Sequence, residues 1–223
     1  MHDINTLLAS NETWSRSVVQ SNPSFLPSLA RGQAPICLWL GCSDSRVPPD
    51  TVCGAPPGTL FVHRNIANLA PTDDASFRAV LQYAVAALKV PHIVVCGHSN
   101  CGGLTAVVEA AASGDVERWL RPARELYEAN RPELDSIADL RGRVNRLAEL
   151  NVEAQVRAIS RTAAAQEAWQ CKQELTIHGL MYELATGQLR DLGVSISAAP
   201  QPQEAAPKSP TPAEDDLKPK NLW

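Results

Sequence analysis

Several features are missing from this chain of 223 residues, and each absence removes a class of function. No apolar run approaches the roughly 20 residues of a membrane span. Lysine and arginine together number 20 against 24 acidic residues, a formal net charge of −4, so there is no basic excess of the kind nucleic-acid binding needs. The opening stretch MHDINTLLASNETW lacks the basic start and apolar block of a secretory signal, and the arginines of a mitochondrial leader. The expected location is the cytoplasm, and the sequon at Asn11-Glu12-Thr13 is then a chance match. Neither a Walker loop nor a Gly-x-Gly-x-x-Gly turn occurs, so nucleotide binding has no motif. No Cys-x-x-Cys exists either, which removes the simplest redox pair.

What the chain does have is enough apolar content for a sizeable core, 44% hydrophobic residues, in an α/β pattern. Residues 3–20 read as an N-terminal helix ended by Pro23 and Pro27, so residues 1–30 form a helical arm. PICLWLGC (35–42), TLFVHRN (59–65) and HIVVCGH (92–98) are short apolar runs of the kind found in strands covered on both faces. Between the last two lies a helical stretch, 73–90, with Phe77, Val80, Leu81, Ala84, Val85 and Leu88 at helical spacing. A helix follows at about 104–112, and 115–170 reads as helical with breaks near Pro122 and Pro132. Two final strands, 174–184 and 187–197, meet across Ala185-Thr186-Gly187. Strand and helix alternating at this spacing predict a mostly parallel central sheet flanked by helices in a domain spanning 31–197. From 198 to 223 prolines sit among charged and small residues. That extension has no core of its own, and Leu217, Leu222 and Trp223 are its only evident anchors.

Six cysteines (37, 42, 53, 96, 101 and 171) in a reducing compartment point to metal binding or catalysis before disulfides. Two of them lie in turns at the carboxyl ends of predicted parallel strands, the edge where open α/β sheets bind ligands. One turn, GCSDSRV, offers Cys42, Asp44 and Arg46. The other, CGHSNCGG, offers His98 and Cys101. Two thiolates and an imidazole make a zinc set with a fourth position left for water or Asp44. Competing readings are a nucleophilic cysteine activated by His98, or buried thiols of no chemical role, as Cys37 and Cys96 are expected to be. The His-x-Glu and Pro-Cys-x-x-Cys signature of zinc deaminases is absent.

In order and spacing, CSDSR, PGTLFVHRNIAN, LQYAVAALKV and VCGHSNCGG resemble the β-class carbonic anhydrases, most densely over residues 33–104. The resemblance implies reversible hydration of carbon dioxide to bicarbonate and a proton. It implies one Zn2+ per chain on Cys42, His98 and Cys101, and a homodimer or a homotetramer of two such dimers. Asp44 and Arg46 would form a dyad that orients or gates the metal site, Asp44 becoming the fourth ligand in a closed state only. Gln33, Phe61, Ile66, Tyr83 and Gly102 match residues lining the family's substrate cleft. Trp39, Gly41, Arg64 and Tyr182 match the bicarbonate-regulated (type II) subset, which carries a second, non-catalytic anion site. Hydrolysis of carbonyl sulfide or carbon disulfide is the alternative activity on the same fold, and an inactive zinc scaffold the non-enzyme alternative. His63 is a candidate proton shuttle.

Overall fold

The computed structural model describes residues 3–198; the expectation of an anchored tail falls outside the described residues. Strand β1 (Cys37–Cys42) is buried along its whole length. It pairs in parallel with β2 (Leu60–Asn65) on one side and β3 (His92–His98) on the other. β4 (Thr176–Glu183) continues the parallel order beside β3, and β5 (Gln188–Asp191) closes the sheet antiparallel to β4. The spatial order is β2-β1-β3-β4-β5. A sheet of four parallel strands needs both faces covered, which is why β1 and β3 carry near-continuous apolar runs.

Side-chain alternation divides those runs between two faces. Leu38, Leu40, Ile93 and Val95 turn into the main core beneath the helices, and full burial of each contributes roughly 1.5–3 kcal/mol. Cys37, Trp39, Val94 and Cys96 turn the other way, into a smaller cluster with Leu60, Val62, Leu180 and Tyr182. The main core is capped by α8 (Leu140–Ser160). That helix lies close on β3 because a Cβ at Gly97 would stand 2.7 Å from Val152 and 2.8 Å from the Met181 sulfur.

The remaining helices depart from expectation in instructive ways. α1 (Ile4–Ser21) ends where predicted, but Pro27 lies inside a second short helix, α2 (Phe25–Leu29). After the single turn α3 (Pro49–Val52), the predicted 73–90 helix is α4 (Ala75–Gln82) followed by a wider π-type turn over Tyr83–Ala87. α5 (Gly102–Val108) starts and stops earlier than predicted, with Ala110 in a left-handed conformation just past its end. Pro122 does not break its helix: α6 (Gly114–Ala129) runs through it. Pro122 and Arg118, whose carbonyl loses its partner, are both exposed, so water can take the freed bond. The actual break comes at Asn130, and Pro132 opens α7 (Arg131–Asp135), where a missing N–H costs nothing. α9 (Ala163–Gln170) completes the helical stretch. The last predicted strand is split by Gly193 into β5 and β6 (Ile196–Ser197), and β6 folds back antiparallel to the start of β4.

Candidate metal centre

β1 and β3 deliver their last residues, Cys42 and His98, to the same sheet edge, and Cys101 follows as the N-cap of α5. All three side chains are buried, and their ligand atoms lie within 4.8 Å of one another. The sulfurs of Cys42 and Cys101 are 3.9 Å apart. Two thiolates on one tetrahedral zinc, each at about 2.3 Å, would be about 3.8 Å apart. His98 Nδ1 lies 3.0 Å from the Ser99 carbonyl and donates to it. That bond leaves Nε2 as a bare acceptor, and Nε2 is buried with no protein partner. An imidazole held by one nitrogen to a carbonyl presents the other to a metal. The residues present fit zinc.

The electrostatics agree with that fit. The Cys42 thiol is drawn down to about 4, first by its hydrogen bond with Cys101 and further by the Asp44 backbone N–H, against the effect of burial. The same Cys101–Cys42 hydrogen bond, with burial, pushes the Cys101 thiol up. The two sulfurs are thus within reach of one shared hydrogen bond, the contact a divalent cation would replace.

Asp44 points into the same space, its Oδ2 3.9 Å from His98 Nε2. Arg46 holds it there bidentately: Nη2 donates to Oδ2 at 2.7 Å and Nε to Oδ1 at 2.9 Å, with the Arg46 backbone N–H adding a third bond at 3.0 Å. These bonds keep the Asp44 carboxyl well below the usual carboxylate range.

Arg64 lies opposite Gly41 on β2. Its guanidinium donates to the backbone carbonyls of Cys42 (2.7 Å) and Asp44 (2.6 Å), bracing the turn between the two. The indole of Trp39 lies over Gly41, where a Cβ would stand 2.9 Å from Nε1. That Nε1 is buried without a partner, and Tyr182 belongs to the same apolar cluster.

Of the expected cleft residues, Phe61 and Tyr83 have ring centroids 5.7 Å apart. Ile66 reaches Gly103, where a Cβ would stand 2.7 Å from its Cγ2. Gln33, Ile66, Tyr83 and Gly102 are all exposed on the single chain. His63 packs edge-on against Phe77 on α4, and burial holds its pKa below the ordinary histidine value.

The supporting shell had no signal in the sequence. Ser99 donates to Glu183 (2.7 Å) and accepts from the Leu184 N–H (3.0 Å), tying the ends of β3 and β4 together. Ala67 and Asn68 adopt consecutive left-handed conformations. Their segment is held by Trp119 on the Ile66 carbonyl (2.8 Å), Asn151 on the Ala67 carbonyl (2.8 Å) and Gln155 accepting from Ala70 N–H (2.9 Å). Polar residues on amphipathic helices look alike in sequence, and only the fold distinguishes these.

A buried imidazole and two thiols converging at the carboxyl edge of a parallel sheet define an α/β protein built around a site suited to a metal ion. Residues 37–189 match the carbonic anhydrase family model. A carbonic anhydrase of Emericella nidulans is 44% identical over 190 residues, covering 85% of this chain and 83% of the relative. One of two tetrameric β-carbonic anhydrases of the filamentous ascomycete Sordaria macrospora superposes with a TM-score of 0.84 at 42% identity, covering 86% of this chain and 98% of the other. A Coccomyxa β-carbonic anhydrase in complex with acetazolamide gives 0.82 at 34% identity, over 86% and 87% of the two chains. The chain belongs to the β-class carbonic anhydrases and is an enzyme of that kind.

Proposed function

We propose that the chain hydrates carbon dioxide reversibly to bicarbonate and a proton, with one zinc ion held by Cys42, His98 and Cys101 and with Asp44 and Arg46 acting on it as a dyad. The observation that carries this reading is the convergence of three buried ligand atoms beside a carboxylate that Arg46 holds 3.9 Å from His98 Nε2. When bound, zinc supplies the Lewis acidity that makes water a nucleophile near neutral pH. Two thiolates cancel the ion's charge, so this acidity is weaker than with three neutral histidines, and activity rises with pH above neutrality.

Asp44, kept ionised by Arg46, accepts a hydrogen bond from the attacking oxygen and aims its lone pair at carbon dioxide. Released from Arg46, the same carboxylate is close enough to become the fourth ligand and exclude water. Phe61, Ile66 and Gly102 give the uncharged substrate an apolar wall, Tyr83 extends it towards a second copy of the chain, and Gln33 donates a hydrogen bond to bicarbonate. The second copy is supported by α1, which buries no residue and exposes Ile4, Leu7, Leu8, Trp14 and Val19; an isolated helix of this kind is marginal without a partner surface. The active form is a homodimer or homotetramer.

Trp39, Arg64 and Tyr182 form a regulatory bicarbonate site. The partnerless indole N–H and a guanidinium with fork geometry are donors matched to a small oxyanion. An anion that draws Arg64 from the Cys42 and Asp44 carbonyls loosens the turn carrying Asp44, which favours closure. Free thiols at all six cysteines fit a cytoplasmic setting, and no described helix is long and apolar enough to cross a membrane.

Stopped-flow hydration assays with metal analysis test the reading. Wild-type protein carrying zinc hydrates carbon dioxide, with a rate that climbs from pH 7 to 9. Zinc-loaded protein without hydration activity would overturn it.

A further inference from the structure

We propose that Asn145, on α8, is a positioning residue that fixes the docking site of Arg46 and thereby keeps Asp44 paired with Arg46 rather than released to the metal position. The inference rests on the dyad reading and adds the device that sets its resting position.

Arg46 is half exposed, so its place is decided by few bonds. Two go to the Asp44 carboxylate, which moves with it. The third runs from Nη2 to the backbone carbonyl of Asn100, at 3.2 Å. That carbonyl is the anchor outside the dyad, and its direction is set by an uncommon backbone. Asn100 has φ +55°, a left-handed conformation that a non-glycine residue holds only when its surroundings favour it. What holds it is the Asn100 N–H, which donates to Asn145 Oδ1 at 2.8 Å.

On either side, Ser99 N–H reaches the Tyr182 carbonyl at 3.0 Å, and the Cys101 carbonyl accepts from Thr105 N–H at 2.9 Å. The Asn100 N–H, between the two ligands, takes its partner from a helix side chain instead. The chain of contacts runs from the α8 side chain to the Asn100 N–H, through the left-handed Asn100 backbone to its carbonyl, and on to the Arg46 guanidinium and the Asp44 carboxylate. Without the Asn145 acceptor, the Asn100 N–H has no partner in the loop, and Asn100 is free to leave its left-handed conformation, which redirects its carbonyl. The carbonyl then leaves Arg46, and Arg46 holds Asp44 less firmly. Asn145 bonds none of the ligand side chains, but the Asn100 N–H it accepts from shares a peptide plane with the Ser99 carbonyl that orients His98, so zinc content and the Arg46→Ala background separate the two routes.

The test compares zinc-loaded variants. Asn145→Leu keeps the size and removes the acceptor; Asn145→Asp keeps an acceptor oxygen in place. The expected result is a kcat about tenfold lower for Asn145→Leu with KM within about twofold, and near-complete recovery in Asn145→Asp. Asn145→Leu added to Arg46→Ala should cost nothing further, because both act through one contact. Zinc content should stay stoichiometric. In cobalt-substituted protein the ligand-field bands of Asn145→Leu should move towards those of Arg46→Ala, a change in the metal's fourth ligand that a merely structural role would not produce. Wild-type kcat in Asn145→Leu, an equal loss in the Arg46→Ala background, or a loss that tracks zinc content would each overturn the inference. Full activity in Arg46→Ala itself would overturn the dyad reading, and the inference with it.

Discussion

The two ends of the same strands carry the same residue types and do different things. At the carboxyl edge of β1 and β3 stand Cys42, His98 and Cys101. At the amino end of the sheet stand Cys37, His92 and His178, with Cys53 nearby, all lining one pocket of about 510 Å3. The thiols at the first end lie 3.9 Å apart, and the Cys42 thiol is drawn down to about 4. At the second end burial pushes the Cys37 thiol up to about 11, and Cys53 rises for the same reason. The imidazoles differ too: His98 gives one nitrogen to a carbonyl and leaves the other bare, whereas His178 and His92 face each other at 3.2 Å and satisfy one another. Cysteine and histidine content therefore does not make a metal site. Convergence of buried ligand atoms on one point does, with backbone donors that favour the thiolate.

The sharpest way to break this comparison is to exchange cysteine for serine at each end. Cys42→Ser or Cys101→Ser should abolish stoichiometric zinc by metal analysis and take hydration to the uncatalysed background. Cys37→Ser should keep both zinc and activity and cost only stability, about 1–3 kcal/mol for a polar group placed in an apolar cluster. Zinc retained in Cys42→Ser, or lost in Cys37→Ser, would erase the distinction. One step smaller is Arg46→Ala. It leaves all three ligands in place and removes only the hold on Asp44, so turnover should fall about 10²-fold while zinc remains. Smaller again is Ser99→Ala, which keeps the backbone carbonyl that orients His98 and removes only the Oγ tie to Glu183 and the Leu184 N–H; zinc affinity should weaken by about 10-fold or less, read by competition with a chelator.

Much of this was legible before any fold was known, for identifiable reasons. β1 and β3 announce themselves because a strand buried on both faces must be apolar throughout, and Cys42, His98 and Cys101 stand at the sharp polar ends of those runs. The pairing of Asp44 with Arg46 is expected from the resemblance carried by CSDSR, not from spacing alone. What stayed hidden lies across long sequence separations. Asn145, Asn151, Gln155 and Glu183 serve the site from 45 or more residues away from the groups they bind, and a polar residue on a helix carries no mark of the partner it will meet. Pro122 misleads for the opposite reason: a local rule predicts a break, and exposure of the freed carbonyl removes the cost.

The smallest effect lies at the quiet end. Burial, and then the neighbouring His92, hold the His178 pKa below 6.5, with Asp191 opposing more weakly; its other nitrogen meets Ser195 Oγ at 3.0 Å. A histidine depressed in the folded state binds protons more readily once unfolded. Stability from His178 is therefore present above about pH 6.5 and declines as pH falls through that value, until the folded group also protonates. His63, depressed by burial against Phe77, adds the same sign. The depressed carboxylates Asp44 and Glu183 act in a separate window near and below pH 4. Melting temperature followed from pH 8 to 5 should thus fall less steeply in His178→Gln than in wild type, and the difference should vanish above pH 7.5. Zinc loss at low pH affects both proteins alike, so the difference between the two curves isolates the amino end. Parallel curves would mean that His178 accepts a proton as easily folded as unfolded, and that the two ends of the sheet differ in geometry alone.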